Sequence, residues 1–528
     1  MNSRLFLWAL TSALAGFLFG FDTVVISGAE KTIQELWTLS EFAHGLVTSM
    51  ALWGTVVGSL VGFWPTDHFG RKKTLLWIGI LYFVSAVWSG LASGPYDFAI
   101  ARFIGGLGVG ISTVAAPLYI SEISPPQYRG RLAGMFQFNI VFGILVAYAS
   151  NFLLGQYAGE SAWRWMLGIE AVPALIYAAM CIGLPESPRW LVGRRQLDAG
   201  RNILKTIDPD LADPAVDQLV REIEADSQTT SVGSNFWTAR LRIPILLAFL
   251  IAFFNQLSGI NAILYFAPRI FALTGMGESA SRLNSIGIGF TNLIFTFVGL
   301  YLIDRLGRKT LLVIGSLGYI ASLGCVTWAF ITYHGPFQVN AAATELRNAV
   351  TLETSATTTS ESVEFAQELI KAKQAYAAAL ALDGFDGQAF QLPENGSFEQ
   401  IEEATVNAIQ AASAAGKSGG LVVMFCIFAF IAAHAVGQGA VIWVYISEIF
   451  PNQFRATGQA LGSFTHWIFA ALITLIFPLA VKNFAGANIF AFFCGMMILQ
   501  LIWVLAMVPE TKGVPLEEVE RKLGVKHG

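Results

Sequence analysis

The sequence predicts an all-α membrane protein made of two related halves, each with six membrane-spanning helices. The first ground is composition: 55% of the 528 residues are hydrophobic, only 13% are charged, and mean hydropathy is +0.58. A soluble chain carries about 25% charged residues. The second ground is a set of twelve apolar stretches, each near the roughly 20 residues an α-helix needs to cross the hydrocarbon. The third is internal repetition. Gly62-x4-Asp67-x2-Gly70-Arg71-Lys72 returns 237 positions later as Gly299-x4-Asp304-x2-Gly307-Arg308-Lys309. Ile120-Ser121-Glu122-Ile123 with Arg129 returns 326 positions later as Ile446-Ser447-Glu448-Ile449 with Arg455, and Pro185-Glu186-Ser187 is echoed after 324 by Pro509-Glu510-Thr511. Repeats of this kind mark membrane folds built from two related halves with a site between them.

In chain order the apolar stretches cover 5–28, 43–63, 74–93, 98–120, 132–155 and 163–184, then 243–270, 281–303, 310–333, 421–446, 457–481 and 485–508. Residues 5–28 are too long for a signal peptide, contain Asp22 and show no clear cleavage site, so they are read as retained span 1. The step in repeat offset from 237 to 326 places 89 extra residues between Lys309 and Ile446. The expected organisation is therefore a first bundle at 1–184, a linker at 185–242, a second bundle at 243–508 with an insertion at 335–417, and a tail at 509–528.

Charge sets the expected orientation. The insertion holds eleven acidic against four basic residues, so the net charge of -4 becomes +3 without it. Loops after spans 2, 4, 8 and 10 carry nine Lys or Arg against five after spans 1, 3, 5, 7 and 11, and the linker adds eight to the first side. By the positive-inside rule both termini are expected in the cytoplasm of a multi-pass protein of the plasma or inner membrane. Cys181, Cys325, Cys426 and Cys494 all fall in apolar spans, where a thiol acts as a small hydrophobe. The linker reads as short amphipathic helices. The insertion reads as two helices, Glu361 to Leu382 and Phe398 to Ala415 with a Ser397/Gln400 capping box, forming a small helical cap or a partly mobile loop. Its Asn395-Gly396-Ser397 sequon would be accessible in this topology.

Ionisable residues inside apolar spans are costly and mark function. Asp22 lies roughly 9 Å and Arg102 roughly 6 Å from the outer boundary at 1.5 Å per residue, so the two are placed to pair. Their repeat counterparts are Gly259 and Phe428, so neither charge belongs to the duplicated frame. Two readings stand: a static ion pair joining spans 1 and 4, or a protonation switch in which Asp22 takes and releases a proton. Glu170, whose counterpart is Cys494, is either a relay member or a residue near the interface. In span 7, Gln256 and Asn261 lie five apart and Tyr265 four further on, so part of the set Asn255, Gln256, Asn261 and Tyr265 can face one cavity, while Gly259 weakens the helix in the middle. Gln137, Asn292 and His466 add polar groups, while Trp443 and Trp467 add flat apolar surfaces. Amides both donate and accept, as hydroxyl-rich neutral solutes require. The paired basic clauses suggest inter-helix gating contacts. The glycine rows at Gly54, Gly58, Gly62 and at Gly106, Gly110 suggest close helix packing, and Gly437-Gln438-Gly439 suggests a break in span 10. No nucleophile-base or metal-ligand cluster stands out, so neither an enzyme nor a cofactor is expected.

Arg102-Phe-Ile-Gly-Gly106, Pro185-Glu-Ser-Pro-Arg189, Gln256-Leu-Ser-Gly-Ile-Asn261, the paired Gly-Arg-Lys clauses and Pro509-Glu-Thr-Lys-Gly513 together resemble the sugar porters of the major facilitator superfamily. That family includes proton-coupled xylose symporters and facilitative glucose transporters, and the resemblance covers nearly all of the chain outside 335–417. It implies two six-helix bundles, alternating access, and one monosaccharide at the midplane of a protein acting as a monomer in the lipid bilayer, with no nucleic-acid partner. The implied sugar contacts are Gln137, Asn255, Gln256, Asn261, Tyr265, Asn292, Trp443 and His466, with Phe19 as an aromatic wall and Trp467 beside them. Asp22 matches the acid of proton-coupled members and Arg102 its partner. The implied gating set is Asp67, Arg71, Glu122, Arg129, Glu186 and Arg189, with Asp304, Arg308, Glu448 and Arg455. Asn255 stands where the family usually has Gln, His466 where it has Gln or Asn, His68 where it has Arg, and Phe63 where many members have Gly. The expectation is a proton-coupled monosaccharide symporter, with a facilitative sugar or polyol uniporter and a transporter-like sugar sensor as alternatives. The short tail after Pro509 counts against the sensor.

Overall fold

A computed structural model describes residues 3–125, 128–209, 211–229, 236–355, 359–393, 396–451, 454–514, 518, 519, 521 and 523. The described residues form helices joined by short turns, with no strand among them. Twelve segments are long and apolar enough to cross a membrane. The first six are Ser3–Gly28, Glu41–Val61, Arg71–Leu91, Pro95–Ile123, Arg131–Tyr157 and Gly159–Ile182. The second six are Ala239–Tyr265, Glu278–Leu306, Arg308–Thr332, Phe398–Ile449, Arg455–Asn483 and Gly486–Met507. They are called spans 1 to 12 below. One end of the molecule carries the linker, and the other carries the insertion.

Within the first half, span 1 packs on span 5 and span 4 packs on spans 2 and 3; within the second, span 9 packs on spans 10 and 12 and span 7 on span 11. The glycine rows account for the closest approach. A Cβ on Gly106 would sit 1.9 Å from the Ala51 carbonyl, and one on Gly54 would sit 2.2 Å from the Phe103 carbonyl. Without a hydrophobic driving force between helices in lipid, such contact supplies the packing energy. The halves meet along spans 2 and 11 and spans 5 and 8. There a Cβ on Gly45 would meet the Leu475 carbonyl at 2.0 Å and one on Gly289 would meet the Leu145 Cα at 2.8 Å.

Three spans are interrupted. Span 7 stops at Leu257, turns through Gly259 at φ +86°, and resumes as Ile260–Tyr265 and then Ala267–Ala272. Span 10 breaks at Gly437, between Phe398–Val436 and Gln438–Ile449, where the glycine pair suggests. Span 6, read as continuous from the sequence, is two helices, Ala162–Gly168 and Ala171–Ile182, with Glu170 just before the second, its side chain making no capping bond.

The linker contains Pro188–Gly193, Leu197–Ile207 and Asp213–Thr229. The insertion is more ordered than its sequence suggests. The expected helices occur as Thr359–Leu380 and as the start of Phe398–Val436, with the Ser397/Gln400 capping box formed. A third helix, His334–Ser355, follows span 9 almost without a break. Its buried face, Val339, Ala342, Ala343, Leu346, Ala349 and Val350, keeps helical spacing but is half alanine, so it gives a weak hydropathy signal. The 39-residue helix Phe398–Val436 runs unbroken from cap to membrane, about 58 Å at 1.5 Å per residue. Asn395 of the sequon lies outside the described residues.

Candidate functional site

The first half contributes a buried charge pair. Arg102 donates from Nη1 to Asp22 Oδ1 at 2.5 Å and from Nη2 to the Asp22 carbonyl at 3.0 Å. Asp22 is 2% exposed and Arg102 1%. The pairing expected from their similar depth is therefore formed. Glu170 reaches the same place from the break in span 6: it is buried, lies within electrostatic reach of both partners, and leaves Oε1 without a hydrogen-bond partner among the described residues. Tyr82 Oη, Ser85 Oγ and Arg102 Nε are likewise buried and unpartnered there. An unpaired charge in such a place costs several kcal/mol, so the position of one proton matters to the whole cluster.

The second half contributes an amide knot. Gln256 sits at its centre: Nε2 donates to Asn255 Oδ1 at 2.9 Å and lies 3.1 Å from the His466 ring nitrogens, while Oε1 accepts from Asn261 Nδ2 at 2.5 Å. Gly259 makes this possible, because the left-handed turn brings Asn261 back over Gln256. The ring of His466 is flanked by Trp443 at 5.3 Å and Trp467 at 4.7 Å. Phe19 of the first half meets Trp467 edge-on at 5.5 Å. Tyr265, fully buried, comes within electrostatic reach of Asp22 and Arg102. Charge pair and knot are thus joined across the two halves by Phe19 and Tyr265.

Gln137 and Asn292 stay outside the knot. Gln137 is half-buried on span 5, and Asn292 on span 8 accepts from Thr296 at 3.5 Å. Three polar residues near the second half's interior were not singled out by sequence reasoning. Tyr319 Oη bonds His434 Nδ1 at 2.6 Å, and Gln438 is buried with both amide atoms unpartnered among the described residues. Gln438 stands between Gly437 and Gly439, so its sequence context marks a backbone break rather than a buried amide.

At the linker end the repeated clauses build two matching clamps. Arg71 forks onto Glu122, with Nε to Oε2 and Nη2 to Oε1 both at 2.9 Å, and pairs with Asp67 at 3.0 Å. Glu186 accepts from the backbone N–H of Arg71 at 2.8 Å and of Lys72 at 3.2 Å. In the second half Arg308 forks onto Glu448 at 3.1 and 2.8 Å and pairs with Asp304 at 3.4 Å, while Glu510 accepts from the N–H of Arg308 at 2.8 Å and of Lys309 at 3.0 Å. Gly70 and Gly307 take φ of +91° and +92°, which aims the next two N–H groups at one carboxylate. Each clamp lies within its own half. Arg189 is exposed, Arg455 keeps a buried Nε without a partner among the described residues, and the side chain of Arg129 lies outside those residues.

Twelve spans in two bundles, repeated clamps and a polar site between the halves define a major facilitator transporter rather than an enzyme. The chain belongs to the family described as "Sugar (and other) transporter", whose profile matches residues 8–345 and 403–523. The profile skips the middle of the insertion. Among relatives, the chain is 32% identical to the probable metabolite transport protein CsbC of Bacillus subtilis over 532 residues, 99% of this chain and 95% of the relative. It is 30% identical to the arabinose-proton symporter of the same organism over 522 residues, 98% of this chain and 94% of the relative. The fold matches the inward-open xylose transporter XylE of E. coli with a TM-score of 0.70 and 26% identity, covering 98% of this chain and 99% of that one.

Proposed function

We propose that this chain is a proton-coupled monosaccharide symporter that carries a hexose or pentose with a proton by alternating access. The carrying observation is the Asp22–Arg102 pair, an acid and base buried in one half only and joined through Phe19 and Tyr265 to the amide knot of the other. Protonation of Asp22 removes the partner of Arg102, so the pair's free energy depends on which side supplies the proton. A ligand or proton moves a two-state equilibrium only through such differential stabilisation. Glu170 is placed to exchange the proton with Asp22. Gln256, Asn255, Asn261 and His466 offer donors and acceptors to sugar hydroxyls, and Trp443 and Trp467 offer faces for its C–H groups. The names of the arabinose-proton symporter and of the xylose transporter support the substrate class. In this reading the linker end faces the cytoplasm with both termini, and the protein works as a monomer in the bilayer.

The test is uptake into proteoliposomes with and without an inward proton gradient. Wild type concentrates a monosaccharide only with the gradient, and Asp22→Asn loses concentration while keeping counterflow. Equal accumulation by Asp22→Asn would reject proton coupling through this residue. A facilitative uniporter is the second reading, favoured by the double anchoring of Arg102 on Asp22; it expects no accumulation by either protein.

A further inference from the structure

At the insertion end, a second buried charge cluster crosses between the halves, and neither the amide knot nor the charge pair uses it. Glu30, just beyond span 1, is 2% exposed. Its carboxylate accepts from Arg269 of the second half, Nε to Oε1 at 3.1 Å, with Nη2 at 2.9 Å from Oε2. On its other side Oε2 meets His44 Nε2 of span 2 at 2.8 Å, and His44 is fully buried. Arg269 Nη2 also donates to Gln34 at 2.5 Å, Gln34 donates to Glu41 at 3.1 Å, and Glu41 faces Lys482 of span 11 at 3.9 Å. Polar contacts thus pass between the halves at two points on one rim.

The position of Arg269 gives the cluster its meaning. It lies on Ala267–Ala272, the last short helix of the span-7 region, separated from the membrane-crossing part by the turns at Gly259 and Phe266. A piece set off by two interruptions is the part of that segment that can swing with least disturbance to the rest. Glu30 grips this piece. Phe266 lies underneath, with the His44 ring at 6.3 Å and the Arg269 guanidinium at 6.0 Å, and water is excluded from the carboxylate. Burial pushes the Glu30 carboxyl up, but the Arg269 charge and the His44 bond outweigh it and hold it below the usual carboxylate range. The grip is therefore ionic at neutral pH.

We infer that Glu30, gripped by Arg269 and backed by His44, is the latch that holds the insertion-end mouth closed, so that its release sets the population open to that side. A buried ion pair held by one hydrogen bond and a second close charge contact is lost as a unit when the halves part, and its partners then meet water. Glu30 acts on transport by positioning the outer piece of span 7, without touching substrate. The inference goes beyond the proposed symport and stands whether or not protons are coupled.

The test is a distance measurement on the full chain in lipid nanodiscs, with spin labels at the exposed positions Lys31 and Asn483 and the four native cysteines replaced. Glu30→Gln and Arg269→Gln are each expected to raise the open-to-closed ratio at this end about tenfold, within the range of ordinary coupling between sites. The double variant is expected to go no further than either single, because the two residues act through one contact. An unchanged distance distribution in both singles, or additive shifts in the double, overturns the inference. A second label pair at the linker end separates latch loss from general loosening: widening there as well as at the insertion end also overturns it. Failure of proton-driven uptake would bear on the symport reading and leave this result untouched.

Discussion

Replacing Gly70 by alanine tests the clamp geometry most directly. The residue sits at φ +91°, ψ 166°, a region open almost only to glycine, and a non-glycine residue there costs about 1–3 kcal/mol. A Cβ would also stand 2.2 Å from Glu186 Oε2, so the carboxylate must leave the N–H groups of Arg71, Lys72 and Ser187 that it now accepts from. Each hydrogen bond to a charged group is worth about 1.5–3 kcal/mol. Allowing for loss of one such bond, the sum is about 2.5–6 kcal/mol. At about 2–4 °C per kcal/mol for a folding unit of 150–250 residues, this is roughly 5–24 °C in Tm. Thermal unfolding in detergent, followed by tryptophan fluorescence, reads the shift. Gly307→Ala is the internal replicate, at φ +92° with its Cβ 2.5 Å from Glu510 Oε2. Gly134→Ala is the control, since nothing lies within 4 Å of its Cβ. If Gly70→Ala and Gly134→Ala melt together, the cradle does not hold the half in the way described.

The two cradles should also part company on acidification. Burial pushes the Glu186 carboxyl up despite its backbone donors, whereas the donors to Glu510 outweigh burial and hold it down. A depressed carboxyl keeps its stabilisation until pH falls through its lowered value, while a raised one takes its proton earlier. The amides of Arg71 and Lys72 should therefore lose hydrogen-exchange protection at higher pH than those of Arg308 and Lys309, on either side of the ordinary value of about 4.3; coincident losses would contradict this. Gln256→Leu leaves Asn255, Asn261 and His466 without their common partner, at about 1–3 kcal/mol for a stranded buried group, and should weaken monosaccharide binding about tenfold or more, as read by calorimetry. Unchanged affinity would remove Gln256 from the site. Replacing 335–417 by a short Gly/Ser linker should leave uptake within roughly twofold, since the insertion is built on its own small core. Complete loss of transport by a well-inserted protein would show that the cap takes part in the cycle.

The twelve spans, the duplication, the presence of an insertion between spans 9 and 10 and the pairing of Asp22 with Arg102 were legible in the sequence. Each follows from local composition or from a spacing that the repeat converts into a position. Hydropathy needs no partner to be read, because the solvent of each segment is the bilayer itself. What only the tertiary structure decided depends on partners far apart in the chain. Gln256 and His466, 210 positions apart, became one knot, and span 6 broke at Glu170 to bring an acid to the charge pair. The cap gained a third helix whose alanine face is apolar only where other helices cover it. Nothing local in the sequence marks Glu30, which meets Arg269, 239 positions away, only once the two halves have packed. Side chains meet only after the spans have packed, and which pairs survive burial is settled there, where an unpartnered charge costs several kcal/mol.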